Sequence, residues 1–223
     1  MRNFLTVTRL LRAIGFEPKT VLDVGACYGT PAITDVFPEA YHHWFEPVAE
    51  VAATLSRYSP RVAGEVHVMA LGDTDTTMDL FVPAASVDSA RLLLGSEALS
   101  APAQADTRQV PVKRLDSVLA GCAPARPILL KTDCQGFDLA VLRGATASLP
   151  MIDVAVIEVH MFPAYPGAPD NTFDSVYALM RAAGFSLFDI ADPLSRPKDG
   201  VIAQFDVFFI NDRGVFPRPI GWV

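Results

Sequence analysis

Basic clusters, closely spaced cysteines and long apolar runs are all absent from this chain of 223 residues. Its 18 Lys and Arg residues stand against 25 Asp and Glu residues, which gives a formal net charge of −7. Proteins that hold a nucleic-acid backbone need a basic surface, so no nucleic-acid partner is expected. No stretch reaches the roughly 18 uncharged apolar residues of a membrane-spanning helix, so no membrane span is expected.

The chain contains only three cysteines. Cys27, Cys122 and Cys134 are an odd number without C-x-x-C spacing, which excludes a compact zinc-thiolate or dithiol motif. We therefore predict reduced thiols in a cytoplasmic protein. Arg9 and Arg12 interrupt the apolar N-terminus, which argues against a signal peptide and predicts an amphipathic helix within residues 1–18.

Apolar runs alternate with helix-like segments along most of the chain. Hydrophobic residues make up 51% of it, so a single domain of residues 1–223 with a large core is expected. The predicted strands cover residues 20–24, 41–45, 66–70, 128–133, 154–159, 185–190 and 205–210. The predicted helices cover residues 30–37, 47–59, 137–147 and 172–183. Nearly continuous apolar strands indicate an α/β fold with a doubly wound parallel sheet covered on both faces.

Residues 71–127 interrupt this alternation and are too long for a plain connection. Within this insertion we predict short strands at 77–82 and 109–113 and a short helix at 115–120. Residues 83–107 are rich in Ala and Ser. They form either a lid over the site or a mobile surface loop with a turn at 89–94, and both interpretations stay open. Residues 161–171 carry three prolines after a strand and are expected to form the rim of a site.

The clearest chemical signal is the turn that follows the first predicted strand. Gly25 and Gly29 lie in it, and glycine permits both tight turning and close approach of a ligand to the backbone. Glu46 ends the second predicted strand, where a carboxylate can accept hydrogen bonds from the hydroxyls of an adenosine ribose. These residues predict a site for a nucleoside-containing cofactor, and a turn needed only for packing is the alternative.

The side chains within the turn separate two classes of cofactor. Dinucleotide sites need a bare G-x-G-x-x-G turn against the pyrophosphate. Three residues with side chains follow Gly25 instead, namely Ala26, Cys27 and Tyr28. Asp23 would also place a second anion beside a pyrophosphate, whereas it suits the ammonium group of S-adenosylmethionine (SAM). These residues favour SAM as the cofactor, and a dinucleotide oxidoreductase with NAD at Glu46 stays open as an alternative.

Several blocks of the sequence resemble the FkbM family of SAM-dependent methyltransferases. The blocks are VLDVGACYG at 21–29, FEP at 45–47, ALGD at 70–73, VKRLD at 112–116, LKTDCQG at 130–136, VLRGA at 141–145, IEVH at 157–160 and DVFFI at 206–210. Cys27 stands where the family often has Asn, and Cys134 where it often has Val or Ile. The resemblance implies a class I methyltransferase with a Rossmann-like, seven-stranded, mostly parallel sheet whose last strand is antiparallel.

The resemblance also implies roles for individual residues. Gly25 and Gly29 would place backbone against the methionyl part of SAM, Glu46 would hold the ribose, and Asp73 would reach the adenine. Asp133 would hold the ammonium group or face the acceptor, and its alternative is a helix N-cap. The full set of expected cofactor-binding residues is Asp23, Gly25, Ala26, Cys27, Tyr28, Gly29, Glu46, Ala70, Leu71, Asp73 and Asp133.

Lys131 interrupts an otherwise apolar strand, and a buried ammonium needs a carboxylate partner. Strand alternation puts Lys131 and Asp133 on one face, and Glu158 and His160 on one face of the next strand. We predict that these four form a catalytic cluster in which His160 is the first choice as general base. A structural ion pair between Lys131 and Glu158 is the alternative. A lysine within the set opposes a cation, so no metal is expected there, and Mg²⁺ held by the acids and the histidine is the alternative.

The other histidines, His42, His43 and His67, are expected to be packed or solvated. The resemblance implies O-methylation of a hydroxyl on a small molecule or glycan, such as a sugar, glycolipid or polyketide. N-methylation on the same scaffold and a catalytically silent module that binds SAM or S-adenosylhomocysteine (SAH) stay open. A homodimer stays open as the assembly.

Overall fold

Eleven strands form two sheets in the computed structural model, which describes residues 2–58, 61–83, 89–93, 106–163 and 170–215. The strands are β1 (Thr20–Val24), β2 (Tyr41–Phe45), β3 (Gly64–His67), β4 (Ala70–Leu71), β5 (Thr76–Val82), β6 (Arg91–Leu92), β7 (Asp106–Lys113), β8 (Ile128–Thr132), β9 (Val154–His160), β10 (Phe185–Ser195) and β11 (Ile202–Asn211). The helices are α1 (Phe4–Ala13), α2 (Pro31–Thr34), α3 (Ala49–Ala52), α4 (Leu115–Leu119), α5 (Asp138–Arg143) and α6 (Phe173–Ala182).

The main sheet has the strand order β10-β11-β9-β8-β1-β2-β3. Its pairs are parallel except for β11, which lies antiparallel between β9 and β10. This arrangement confirms the predicted class I sheet with an antiparallel last strand. The strand order reverses between β1 and β8, from which the chain proceeds to opposite edges of the sheet. In open α/β sheets, ligands bind at such a switch point, beyond the carboxyl ends of the strands.

Alternate residues of the main sheet enter separate cores on its two faces. On one face, α1 packs Val7 and Leu11 into a cluster with Val21 of β1. On the other, Leu22 of β1 belongs to a cluster that includes Met180 of α6. Helices therefore cover both faces, as the continuous apolar strands predict. In the part of the chain that the structure describes, no helix combines the length and apolar character needed to cross a membrane.

The insertion builds a second, four-stranded sheet in the order β4-β7-β5-β6. The short strands predicted at 77–82 and 109–113 are confirmed within β5 and β7, and α4 confirms the short helix. Most of the stretch 83–107 lies outside the described residues, which there are only 83, 89–93 and 106–107. The turn predicted at 89–94 is described except for residue 94, and Arg91 and Leu92 form β6 within it. Residues 164–169 of the predicted rim also lie outside them.

Several predicted boundaries are wrong. The third strand ends at His67, and Ala70 pairs with Val112 of the second sheet, so the predicted strand 66–70 spans two sheets. The segment predicted as a helix over 47–59 divides into α3 and a 3₁₀-helix at Ala53–Tyr58. The helices at 30–37 and 137–147 shorten to α2 and α5. Local apolar spacing predicts these segments, but tertiary contacts determine where each one ends.

The turns after β1 and β8 meet at Gly25. Its φ is +70°, and a Cβ atom built on it would lie 2.0 Å from the carbonyl oxygen of Asp133. Glycine is therefore required there both for its backbone conformation and for the approach of the two turns. Gly121 has a similar φ of +85°, but a Cβ atom there would meet nothing within 4 Å.

This pair of glycines gives a test of the fold. Gly121→Ala should lower the free energy of unfolding by about 1–2 kcal/mol, the cost of a left-handed conformation for an L-residue. Gly25→Ala should lower it by about 1–3 kcal/mol more, because the turns must also separate. Urea unfolding of both variants and the wild type measures the difference. Equal losses would show that the two turns are not in close contact.

Candidate functional site

A hollow of about 550 Å³ opens at the carboxyl ends of β1, β2 and β8, and we refer to it as the first hollow. Its lining is mainly apolar and includes Phe45, Leu71, Leu80, Leu92 and Phe137. Two of these, Leu80 and Leu92, come from β5 and β6 of the second sheet. The insertion therefore contributes a wall of the hollow.

Glu46 is buried in the lining of the first hollow, whose other polar residues are Arg91, Asp133 and Gln135. Its Oε2 accepts a hydrogen bond from the backbone N–H of Cys27 at 2.9 Å, and its Oε1 accepts one from Val48 at 2.8 Å. Burial raises the pKa of Glu46, whereas these backbone bonds oppose that rise. A carboxylate offers about four acceptor positions. The two backbone bonds leave about two of them for a ligand.

The turn after β1 is held by its own backbone and by the segment that follows β2. Cys27 adopts a positive φ of 46° and thereby aims its N–H at Glu46. A Cβ atom at Gly29 would lie 2.4 Å from the ring of Tyr58. Tyr28 has an exposed side chain, and its carbonyl oxygen accepts hydrogen bonds from Arg57 and Tyr58. The turn thus presents backbone, not the Tyr28 side chain, to the first hollow.

A second hollow of about 670 Å³ shares Gly25, Cys27 and Asp133 with the first. Its additional charged residues are Lys131, Asp192 and Asp206. Carboxylates outnumber the ammonium group in this lining. The second hollow therefore suits a ligand group that carries positive charge.

Lys131 is the centre of the charged side chains near the second hollow. Its Nζ lies 3.4 Å from Asp133 Oδ2 and 3.6 Å from Asp23 Oδ1, and it donates to the carbonyl oxygen of Gly25 at 3.4 Å. Burial opposes its charge, but Asp133 and Asp23 outweigh that effect and raise the pKa of Lys131. Lys131 likewise brings the pKa of Asp133 below its ordinary value in spite of burial. Both groups are therefore charged near neutral pH.

Other carboxyl groups in this region have raised pKa values. Burial, followed by the charges of Asp133 and Asp138, raises the pKa of Glu158 to about 10. Burial and then Asp133 raise that of Asp206 to about 7, and the same two causes raise that of Asp138 to about 6. Gln204 donates a hydrogen bond to Oε1 of Glu158, while its buried Oε2 has no hydrogen-bond partner in the described residues. Glu158 is therefore neutral at pH 7.

His160 is half-buried at the end of β9. Its ring lies close to Gly136, because a Cβ atom built on that glycine would be 3.5 Å from Cε1 of His160. Burial lowers its pKa, so the ring is neutral near pH 7 and able to accept a proton. As far as the described residues define the two hollows, His160 and Glu158 lie outside their linings.

The structure brings together most, but not all, of the predicted site residues. Those that line the first or second hollow are Gly25, Ala26, Cys27, Gly29, Glu46, Ala70, Leu71, Lys131 and Asp133. Asp23 is buried against Lys131, and Asp73 lines a separate hollow beside Arg143. The alternative ion pair between Lys131 and Glu158 is wrong. Strand register pairs Asp23 with Lys131, so Lys131 finds carboxylates without Glu158.

Sequence reasoning missed three groups of the site. Asp206 faces Glu158 across the β9–β11 pair, and a charged residue in a strand of apolar neighbours was the available signal. Arg91 and Leu92 enter the first hollow from an irregular stretch without periodicity. Asn171 is buried and donates to Asp138 and to the carbonyl oxygen of Glu158, both at 3.1 Å, which no local pattern indicates.

Comparison with known proteins gives a family and a fold. The model of the family described as "Methyltransferase FkbM domain" matches residues 23–187. No curated protein matches the chain. The crystal structure of methyltransferase FkbM from Methylobacillus flagellatus KT is similar with a TM-score of 0.54 and 15% identity, over 92% of this chain and 48% of that one. The chain thus spans about half the length of that protein.

Magnesium protoporphyrin IX methyltransferase (ChlM) from Synechocystis PCC 6803, crystallised with bound SAM, is similar with a TM-score of 0.50 and 10% identity. The match covers 94% of this chain and 78% of ChlM. A methyltransferase structure from Thermobifida fusca YX gives a TM-score of 0.50 at 13% identity, over 93% and 78% of the two chains. These likenesses show the class I methyltransferase fold.

The raised pKa of Glu158 predicts a pH-dependent stability. Folded Glu158 keeps its proton up to about pH 10, whereas the unfolded chain releases it near the ordinary value of 4.5. Between these values the unfolded state binds fewer protons, so the free energy of unfolding falls as pH rises. Glu158→Gln removes this dependence. From about pH 5 to 9 the wild type should lose stability relative to the variant, by at most about 1.4 kcal/mol per pH unit.

Urea unfolding at several pH values measures this difference. Glu17→Gln, which changes an exposed carboxyl group, is the matched control and should follow the wild type. A difference between wild type and Glu158→Gln that stays constant with pH would contradict a protonated Glu158.

Proposed function

Because this chain belongs to the FkbM methyltransferase family, we propose that it transfers a methyl group from SAM to a hydroxyl group of a small molecule or glycan. The observation that carries the proposal is the composition of the two hollows that meet at the carboxyl ends of β1 and β8. One is mainly apolar and includes the buried carboxylate of Glu46, the other is rich in carboxylates, and Asp133 lines both.

The first hollow fits the adenosine half of the cofactor. Its apolar side chains suit a flat base, and the free acceptor positions of Glu46 suit the two ribose hydroxyls. An apolar cavity with a few well-placed polar groups is the usual design of such a site. Glu46 would therefore hold the ribose, and Leu71 and Leu80 would contact the base.

The second hollow fits the positively charged methionyl half of the cofactor. Asp133 lines both hollows and is held in its ionised form by Lys131. It would accept a hydrogen bond from an ammonium group, while the backbone at Gly25 and Cys27 would border the methionyl chain. Asp206 and Asp192 add negative charge to the same lining. The bound cofactor would supply a methyl carbon activated by a positively charged sulfur.

The chain's own residues would contribute to the reaction by positioning the acceptor hydroxyl and by removing its proton. Holding an acceptor oxygen in line with the methyl carbon accounts for much of the acceleration in such displacements. The hydroxyl must lose its proton during or after attack, and a neutral imidazole accepts it at pH 7. His160 is our choice for this role, with Asp133 second. Residues 89–93 of the insertion would cover the bound ligand as part of a lid.

Calorimetric titration of the purified chain with SAH, and separately with NAD, tests the cofactor assignment. Mass spectrometry beforehand establishes whether ligand is carried through purification. SAH should bind and NAD should give no signal, because the turn after β1 is not a pyrophosphate site. Absence of SAH binding by folded, ligand-free protein would overturn the proposal, whereas SAH binding without methyl transfer would favour a silent binding module.

Glu46→Ala should weaken SAH binding by about 1.5–3 kcal/mol, roughly 10- to 150-fold, because hydrogen bonds to a charged acceptor are lost. Glu50→Ala is the matched control, since it removes an exposed carboxylate of nearby α3 and should leave affinity unchanged. Thermal unfolding of both variants separates lost ligand contact from lost structure. Affinity unchanged in folded Glu46→Ala would remove Glu46 from the site.

His160→Ala should lower turnover by about 10²–10⁴-fold, the usual contribution of a general base, while SAH affinity stays close to that of the wild type. Release of SAH with a panel of hydroxyl-bearing glycans and small molecules is the readout. Asp133→Asn should instead weaken SAH binding as well, because Asp133 lines both hollows. Wild-type turnover in His160→Ala would reject His160 as the base.

A further inference from the structure

Three metal-ligating side chains lie together at the edge of the main sheet, outside both hollows. They are His43 of β2 and Glu65 and His67 of β3. Strand register places His43 opposite Glu65 and Phe45 opposite His67, so all three side chains project from the same face. The sequence did not predict this cluster, because the predicted strand 66–70 excluded Glu65 and its pairing with β2 was unknown.

The spacing of the three side chains suits one small cation. His43 Nδ1 lies 3.0 Å from His67 Nε2, and His67 Nε2 lies 3.9 Å from Glu65 Oε2. One ligand atom from each residue falls within 4.8 Å of the others. A tetrahedral zinc ion bound at about 2.0–2.1 Å separates its ligand atoms by about 3.3–3.4 Å. The observed distances lie on both sides of that value, so small side-chain rotations are enough.

Neighbouring rings hold the two imidazoles in place. The His67 ring stacks on Phe45 with centroids 4.5 Å apart and on His43 with centroids 5.3 Å apart. The His43 ring also contacts Tyr41, at 5.0 Å between centroids. Ligands held by packing before the ion arrives lose little conformational freedom on binding. In the absence of an ion, the two imidazoles share a single N–H···N hydrogen bond.

We propose that His43, Glu65 and His67 bind a divalent cation of the zinc type between β2 and β3. Two imidazole nitrogens and one carboxylate oxygen are a common zinc donor set, and they leave a fourth position for water. The Glu65 side chain is 58% exposed, so solvent reaches this end of the cluster. The ion would join edge strand β3 to β2.

The site is linked to the first hollow through the backbone of β3. The carbonyl oxygen of His67 accepts a hydrogen bond from the N–H of Glu46 at 3.0 Å, and Phe45 lies between the His67 ring and the hollow. A cation that fixes His67 would therefore also restrain the end of β2. Its role is to stabilise this edge of the sheet, and no reaction step is assigned to it.

Titration of the full chain with Zn²⁺ alone, after treatment with EDTA and dialysis, tests the proposal. The Cys122→Ser background removes an exposed thiol that could bind zinc independently. One equivalent of Zn²⁺ should bind, and Tm should rise with zinc concentration, because an ion that binds the folded state stabilises it. No zinc binding by this protein would overturn the proposal.

Two ligand variants and one matched control locate the ion. His67→Gln and Glu65→Gln should each weaken zinc binding by at least about 10-fold. His160→Gln removes the histidine of the chain that lies near Gly136 and should leave zinc affinity unchanged. Glu65 is exposed, so its variant stays informative if His67→Gln fails to fold. Wild-type zinc affinity in either ligand variant would overturn the three-ligand site.

Discussion

A buried ammonium group inside a central strand is the constraint on which this structure depends. Removing one charge from water costs several kcal/mol, so Lys131 of β8 can be buried only where carboxylates reach it. Asp23 of β1 and Asp133 after β8 supply them from both sides, and the carbonyl oxygen of Gly25 adds a third contact. The carboxyl ends of β1 and β8 are thereby held together at the point where the sheet reverses its order.

The same cluster determines how charge is divided between the two hollows. Lys131 keeps Asp133 ionised, and that negative charge in turn helps to raise the pKa of Glu158 and Asp206. Neighbouring carboxyl groups at low solvent exposure cannot all ionise, and Glu158 keeps its proton because burial and the charges of Asp133 and Asp138 disfavour its anion. The result is one fixed carboxylate at the junction of the hollows and a neutral Glu158 behind it. A positively charged ligand would shift this balance towards the ionised forms.

Much of the fold could be predicted from the sequence, and the failures have a common cause. β1, β8 and β9 are mainly apolar runs with one charged residue each, so composition locates them. The third strand could not be located in the same way, because residues 64–71 divide between two sheets according to pairing with distant strands. The partner of Lys131 was likewise beyond local patterns. A buried lysine demands a carboxylate, but only the register of β1 against β8 selects Asp23 over Glu158.

Part of the lining of the second hollow comes from α1, β10 and β11, near the two ends of the described chain. Asp192 of β10 accepts a hydrogen bond at 2.9 Å from the N–H of Phe4, the first residue of α1, and both residues line that hollow. Asp206 enters the lining from β11, which can reach β9 only because the last two strands form an antiparallel pair. The family match ends at residue 187, before either aspartate. The turn after β1 and Glu46 lie within the matched residues, and the block DVFFI at 206–210 resembles the family beyond them. The charge that faces the remainder of a ligand depends on how α1, β10 and β11 close against them.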